Sequence, residues 1–283
     1  MSIATEISRI QSAKADIKAA IEAKGVTVPS SATIDTYDDY VSQISGGGGG
    51  ITMPSNLSAA TLNDYGLLTS AAIKSGVTSI SSYAFSNCKS LSSIEIPDSV
   101  TSIGNNAFSY CSSLSSCTIS SGITSIGSNA FSYCSSFSSI EIPDSVTSIG
   151  NNAFSNCTSL SSCTIGSGVT SIDNYAFYYC SKLTNVTIPN SVTSIGGSTF
   201  RYCSSLTSID IPSGVTSIGG QAFYNCSSLS SITVNAVTPP TLGSSVFNNT
   251  NNCPIYVPAE SVDAYKSATN WSTYASRIQA IPT

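Results

Sequence analysis

Residues 75–97 read SGVTSISSYAFSNCKSLSSIEIP, and this stretch decides the fold because the chain repeats it at a fixed interval. Seven such units run from about residue 75 to residue 238 without insertion or deletion. Phenylalanine recurs every 23 residues, at Phe85, Phe108, Phe131, Phe154, Phe177, Phe200 and Phe223. Cysteine follows each of them three residues later, at Cys88, Cys111, Cys134, Cys157, Cys180, Cys203 and Cys226. Such self-similarity is the signature of a stacked-repeat architecture.

Each unit has too few apolar residues to form a core alone, but stacked copies bury a continuous one. In the first unit Ile94 and Ile96 alternate with Glu95, which indicates a short strand with both isoleucines inward. Residues 77–80 indicate a second short strand, and Phe85 fills the turn between the two. We therefore predict a mainly β repeat solenoid of seven 23-residue coils, with short parallel strands and corners made of turns or short helices.

The repeat resembles the BspA-like class of leucine-rich repeat, whose units read I-x-x-x-A-F-x-x-C-x-x-L-x-x-I-x-I-P-x-x-V-x-x-I. All seven units match this pattern closely. The departures are Phe137 for leucine, Thr199 for alanine, and Cys117 and Cys163 for isoleucine. The resemblance implies a curved solenoid that binds partners, commonly as an adhesin or surface protein of gut and oral bacteria. It supplies no particular partner.

The remaining segments differ from the array. Residues 51–74 are predicted to form an N-terminal cap or degenerate repeat, and residues 239–283 a C-terminal cap, because a solenoid must cover its open ends. Residues 46–50 are five consecutive glycines, which is typical of a flexible linker. Residues 1–45 are predicted to form a small α-helical segment for attachment or oligomerisation.

An apolar stripe marks the first predicted helix, at Ile3, Ile7, Ile10, Ile17 and Ile21. It is consistent with a small two-helix core or with self-association, and isoleucine at both heptad core positions favours trimers or higher oligomers. Residues 1–45 also resemble the leader segments of bacteriophage and prophage tail and tail-fibre proteins. That resemblance implies a virion component, followed by a glycine-rich linker and a variable distal domain.

Composition excludes several classes of function. The chain has 283 residues, a net charge of −5, only 10 Lys+Arg and no histidine. It therefore has no basic footprint for nucleic acid and no imidazole chemistry. No apolar run approaches the roughly 20 residues needed to cross a bilayer, and the first residues lack the basic start and apolar core of a secretory signal. We expect a protein made in the bacterial cytoplasm and carried on a virion. The alternative is a location at the bacterial surface or secretion.

The cysteines and carboxylates are the remaining candidates for chemistry. The cysteine spacing fits no zinc motif, so we expect buried free thiols, with Cys253 outside the repeat as the most exposed one. Glu95, Glu141 and Asp210 share one outward strand position but lie two or more coils apart, beyond the usual separation of glycosidase carboxylates. We expect these carboxylates to be solvated residues of a candidate binding face. We expect no enzyme activity, metal or cofactor.

The outward strand face and one corner of each coil are candidate binding surfaces. Asn185 lies with the carboxylates on the outward strand face, which is rich in hydroxyl groups. The residue before each repeat cysteine forms what we call the tyrosine row: Asn87, Tyr110, Tyr133, Asn156, Tyr179, Tyr202 and Asn225. Tyr178, Arg201 and Tyr224 widen this row. Tyrosine mixed with asparagine and serine is typical of adaptable recognition surfaces. Alternatively, the tyrosines pack only the coil corner.

The sequence therefore predicts a non-enzymatic recognition protein, namely a phage or prophage tail appendage that presents a leucine-rich repeat domain to a bacterial surface glycan or protein. Other virion proteins and, through residues 1–45, the chain itself are the further expected partners. A bacterial adhesin that binds host proteins is the first alternative. An architectural decoration protein without a ligand of its own is the second.

Overall fold

The computed structural model describes residue 22, residues 70–73 and residues 76–282. The isoleucine stripe, the glycine linker and nearly all of the predicted N-terminal cap lie outside these residues. The described part confirms the predicted fold class: it is a parallel β-solenoid of about nine turns with few helices. Eight of these turns contribute one strand to each of two ladders, which form the walls of the solenoid, and the second ladder has one further strand at each end.

The first ladder contains eight two-residue strands, all parallel and each paired with its equivalent in the next coil. They are β2 (Ser79–Ile80), β4 (Ser102–Ile103), β6 (Ser125–Ile126), β8 (Ser148–Ile149), β10 (Ser171–Ile172), β12 (Ser194–Ile195), β14 (Ser217–Ile218) and β16 (Thr241–Leu242). Isoleucine pairs with isoleucine from β2 to β14, for example Ile149 with Ile172. Every isoleucine is inward and buried, because side chains alternate along a strand.

The second ladder consists of longer parallel strands in three groups. They are β1 (Ser70–Ala72), β3 (Ser93–Glu95) and β5 (Ser116–Thr118); β7 (Ser139–Ile142), β9 (Ser162–Ile165) and β11 (Asn185–Thr187); and β13 (Ser208–Ile211), β15 (Ser231–Val234), β17 (Ile255–Val257) and β18 (Ile278–Ala280). Backbone bonds cross the gaps between groups, since the Ser138 N–H donates to Ser115 O at 3.3 Å and the Thr207 N–H to Thr184 O at 3.3 Å. The three groups therefore form one continuous wall.

Stacked phenyl rings fill the core between the ladders. Neighbouring rings from Phe85 to Phe223 lie parallel, with centroids 5.1 to 5.4 Å apart. Phe108 and the rings after it are fully buried. Phe137, at a leucine position, is also buried and packs 5.7 Å from Phe131. The repeat thus places one large apolar side chain in every coil and a continuous aromatic column along the solenoid axis.

The solenoid continues beyond the seventh unit with an irregular coil. Phe247 lies 24 residues after Phe223, which is one more than the repeat length, because one residue is inserted before β16. The ring of Phe247 still stacks on that of Phe223, with centroids 5.7 Å apart. Cys253 belongs to this coil and is only 5% exposed. The expectation that Cys253 is the most exposed thiol is therefore wrong. Its backbone carbonyl accepts a hydrogen bond from Arg277 Nε at 2.8 Å, and this arginine covers the cysteine.

Short helices and aromatic side chains close the C-terminal end. A 3₁₀ turn (Ala259–Ser261) leads into helix α1 (Val262–Ser267), and a second 3₁₀ segment (Trp271–Arg277) precedes β18. The Trp271 ring covers Phe247, with centroids 5.7 Å apart, and its Nε1 donates to Pro240 O at 2.8 Å. The buried indole therefore ends the phenyl column and has its polar atom satisfied.

Candidate binding face along the solenoid corner

The tyrosine row lies along one corner of the solenoid, where the backbone is left-handed. Its residues have φ between 59° and 65°, and the next coil repeats the conformation at Asn249. Asparagine tolerates this region, whereas bulky residues with a Cβ are disfavoured there. Backbone geometry therefore explains Asn87, Asn156 and Asn225, but it does not explain the tyrosines of the row.

The tyrosine side chains of this row project outward. Tyr110, Tyr133 and Tyr179 are 44 to 45% exposed. The rings of Tyr110 and Tyr133 stack face to face with centroids 4.5 Å apart, which matches the separation of adjacent coils. A backbone bond from each row residue to the next coil fixes this register, as from Tyr133 N–H to Ser155 O at 2.8 Å. The row is therefore a rigid, partly aromatic edge.

A second aromatic group lies nearer the C-terminus. At the position before the row, Ser109, Ser132 and Ser155 are buried, but the next three coils carry Tyr178, Arg201 and Tyr224. These longer side chains are only half-buried and widen the edge. The resulting cluster contains Tyr175, Tyr178, Tyr179, Tyr202 and Tyr224, whose neighbouring rings lie 5.6 to 6.2 Å apart and are mostly edge-to-face.

Arg201 lies inside this cluster. Its guanidinium carbon is 5.0 Å from the Tyr202 ring centroid and 4.9 Å from that of Tyr224, so two rings hold the cation. Nη1 donates to Gln221 Oε1 at 2.6 Å, and Nη2 donates to the Tyr202 hydroxyl at 3.3 Å. The bond with Tyr202 raises the pKa of Arg201, so the side chain remains a fixed positive charge. Its buried Nε has no hydrogen-bond partner in the described residues.

The predicted strand-face residues lie on a different surface. Glu95, Glu141, Asn185 and Asp210 are all exposed on the second ladder. Each of the three carboxylate residues has a buried neighbour on either side along the chain, whereas Asn185 follows the exposed Thr184. Asp210 accepts a hydrogen bond from the Asn235 amide. A shallow groove of about 380 Å³ lies beside Asp210 and is lined by Asn185 and Asn235. The structure therefore separates this strand face from the aromatic corner.

Tyr175 belongs to the aromatic cluster and Gln221 binds Arg201 within it, but neither residue was predicted from the sequence. Both lie at a second left-handed position four residues before the row, with φ of 58° in each. The same position carries Tyr83, which is 64% exposed. The recurrence of tyrosine at Tyr83 and Tyr175, which lie a whole number of repeats apart, could have indicated this second position from the sequence. The isoleucines proposed for oligomerisation, from Ile3 to Ile21, lie outside the described residues.

The thiols are buried and tied into the backbone. All ten cysteines are buried and carry reduced thiol groups. Burial raises the pKa of Cys88 to about 11 and the pKa of Cys111 to about 12. The described residues contain no cluster of histidine, cysteine, aspartate and glutamate that could hold a metal ion. Among the helices of those residues, none has the length and apolar character needed to cross a membrane.

A parallel solenoid of 23-residue coils, with inward isoleucine ladders and a phenylalanine column, defines a leucine-rich repeat protein. The family model for the BspA type leucine rich repeat region, in six copies, matches residues 55–184 and 170–270. The chain therefore belongs to the BspA-type leucine-rich repeat family.

A solved structure has the same fold. A leucine-rich repeat protein from Bacteroides ovatus ATCC 8483 is 30% identical with a TM-score of 0.53, over 70% of this chain and 57% of that protein. This chain thus spans little more than half the length of that relative. A T. pallidum leucine-rich repeat protein is 23% identical with a TM-score of 0.49, over 67% of this chain and 74% of that one. No curated protein matches the chain.

Proposed function

We propose that the chain is a non-enzymatic recognition protein that binds its target through the aromatic corner of the solenoid. One observation carries the proposal: bulky tyrosines occupy left-handed backbone positions where asparagine fits better, and their rings are exposed. These tyrosine rings neither reduce the strain of the left-handed backbone nor fill the core, and their role is therefore at the surface. Strained residues of this kind are concentrated at ligand-binding sites.

The chemistry of the corner supports recognition. Tyrosine offers a large contact area with few rotatable bonds, together with a hydroxyl group. Arg201 adds a cation whose position is fixed by two rings and by Gln221. Contacts of exposed aromatic and arginine side chains dominate the energy of many interfaces. A rigid row of such groups needs little ordering on binding, which favours affinity.

We further propose that the protein is carried on a bacteriophage or prophage virion and binds a glycan or protein of the bacterial surface. The support is the resemblance of residues 1–45 to the leader segments of tail proteins, together with the five glycines 46–50 that follow. Antibody labelling of virions tests this setting, and virions without label on tail or capsid would exclude it. The alternative is a bacterial surface adhesin that binds host proteins, as the family assignment favours. Recovery of the chain anchored on the producing cell would support that alternative.

Binding of the labelled full chain to a panel of bacteria tests the recognition function. The variant Tyr179→Asn/Tyr202→Asn places in both coils the residue that other units already use, so it preserves the backbone conformation. We expect it to lose at least ten-fold in cell binding. Glu95→Gln/Glu141→Gln on the strand face is the control and should bind normally. Absence of binding to every cell and host protein tested would favour a purely architectural role.

A further inference from the structure

The tyrosine row contains one gap with an aromatic ring on each side. Asn156 is the only asparagine in the row of the described coils that has tyrosine in the same position both in the preceding coil, Tyr133, and in the following coil, Tyr179. Asn87 and Asn225 each have at most one such neighbour among the described residues: Tyr110 and Tyr202, respectively. The short asparagine leaves open space over its own coil between the two longer side chains.

The width of this gap follows from the coil spacing. Adjacent parallel strands lie about 4.8 Å apart, so side chains two coils apart are separated by roughly 10 Å. A ring inserted between two others needs contact distances of about 3.5–4 Å on each side, or about 7–8 Å in total. The difference between the separation of the side chains and these two contact distances accommodates the puckered chair of a sugar ring. One six-membered ring therefore fits between Tyr133 and Tyr179, and two do not.

Both flanking rings are supported from outside the gap. Tyr133 stacks on Tyr110, with centroids 4.5 Å apart and planes inclined by 5°. Tyr179 packs on Tyr202 at 5.6 Å and on Tyr178 at 6.1 Å. Tyr110 and Tyr202 belong to the coils beyond each ring, away from Asn156, whereas Tyr178 lies in the same coil as Tyr179. These contacts hold the two rings in place before a ligand arrives, while 44% of Tyr133 and 45% of Tyr179 remain exposed.

The floor of the gap is polar and carries no charge. Asn156 Nδ2 donates to Ser155 Oγ at 2.9 Å, which orients the amide. The amide can still accept at its oxygen and donate its second N–H. No residue of the tyrosine row is charged, and Arg201 lies two coils away on the chain. The array as a whole has only 3 basic and 6 acidic residues between positions 75 and 238. This chemistry matches an uncharged, hydroxyl-bearing ring.

We propose that Tyr133, Asn156 and Tyr179 form a subsite for one uncharged pyranose residue of a bacterial surface polysaccharide. The two tyrosines contact the apolar faces of the sugar, and the Asn156 amide hydrogen-bonds a ring hydroxyl or an acetamido group. The proposal rests on the proposed recognition function and adds to it the class of ligand and the position of the sugar. The neighbouring Tyr202, Tyr224 and Arg201 are available to the next residues of the same polymer.

The test fills the gap without altering the fold. Asn156→Tyr places a third ring between Tyr133 and Tyr179, and tyrosine is already compatible with this backbone position in four coils of the row. Asn87→Tyr is the matched control, because it makes the same change three coils away, outside the gap. Binding of the full chain is measured on an array of neutral bacterial polysaccharides, and then by titration with the oligosaccharide that gives the strongest signal. Thermal unfolding checks the fold of each variant.

We expect Asn156→Tyr to weaken sugar binding by at least ten-fold with an unchanged unfolding temperature, while Asn87→Tyr binds like the original chain. Tyr133→Asn and Tyr179→Asn should weaken binding as well. Sugar binding that is unaffected by Asn156→Tyr would overturn the subsite but leave the recognition function standing. Binding to bacterial proteins alone would overturn the ligand class. Absence of any binding partner would overturn both proposals.

Discussion

The thiol of Cys157 donates a hydrogen bond to the backbone carbonyl of Phe131 in the preceding coil, with Sγ and O 3.2 Å apart. The same carbonyl accepts the Cys134 N–H at 3.3 Å. The thiol bond recurs from Cys111 to Cys226 at 3.0 to 3.2 Å. The repeat cysteine is therefore both a small apolar filler and the donor that joins each corner to the one before it.

We expect Cys157→Ala to lower the free energy of unfolding by about 1–3 kcal/mol. The change removes one buried hydrogen bond, worth about 1 kcal/mol, and leaves a small void. Cys163→Val is the control, because Val186 already fills the equivalent strand position in the next coil, and it should cost less than about 1 kcal/mol. Urea denaturation followed by circular dichroism measures both. Equal losses in the two variants would show that the thiol bond contributes nothing of its own.

The sequence was sufficient to predict the coils, because the Phe and Cys periods define them without ambiguity. It could not reveal that the Phe131 carbonyl accepts a thiol, since the period gives the position of Cys157 but not the direction of its side chain. The eighth coil was hidden because one inserted residue shifts Phe247 out of the 23-residue period. The gap over Asn156 also required the structure, because only the left-handed backbone and the exposed rings distinguish it from corner packing.

Gly219 lies where two coils approach closely, and we expect Gly219→Ala to destabilise the protein by about 1–3 kcal/mol. An added Cβ would lie 2.6 Å from the carbonyl carbon of Gly196, and backbone atoms cannot move aside easily. The adjacent Gly220 provides the control, since a Cβ there would come no closer than 3.4 Å to any neighbour. Gly220→Ala should be neutral or stabilising, because alanine restricts the unfolded chain.

Thermal unfolding of the two glycine variants measures this difference. A lower unfolding temperature for Gly219→Ala alone is the expected result. If both variants unfolded like the original chain, the coils would be able to separate enough to admit a methyl group. Gly150 and Gly196 occupy the same position in earlier coils. The close packing of neighbouring coils at this position would then contribute little to stability.

The buried thiols predict a loss of stability at alkaline pH. Burial raises the pKa of Cys117 to about 12 from its ordinary value of 9.0, and it also raises the pKa of Cys157 and Cys203. Above pH 9 the unfolded chain releases thiol protons that the folded chain retains. The free energy of unfolding therefore keeps its full value below about pH 9. Above that pH it falls by about 1.4 kcal/mol per pH unit for each thiol involved.

Denaturant titrations between pH 7 and pH 11 measure this slope. Cys157→Ala should reduce it by the contribution of one thiol, which separates the effect of cysteine from that of Tyr265, whose burial also raises its pKa. Native protein at pH 8 should not react with a thiol reagent, and denatured protein should react at all ten cysteines. A flat profile up to pH 11 would mean that the thiols are accessible to water in the folded chain.

Phe154 lies at the middle of the phenyl column, between Phe131 at 5.4 Å and Phe177 at 5.3 Å, and it is fully buried. We expect Phe154→Ala to cost about 3–5 kcal/mol, because the rings above and below are held by their own coils and cannot close the cavity. Phe137→Leu is the control. It restores the residue that the other six units use at that position and should cost less than about 1.5 kcal/mol.

Because solenoid stability is a sum over coils and their interfaces, the loss at Phe154 should also divide the unfolding transition. Hydrogen exchange of the full-length Phe154→Ala variant should show that the coils around residue 154 open before those near Trp271, which the C-terminal cap protects. A single transition with a loss below 1 kcal/mol would show that the phenyl column is not what couples one coil to the next.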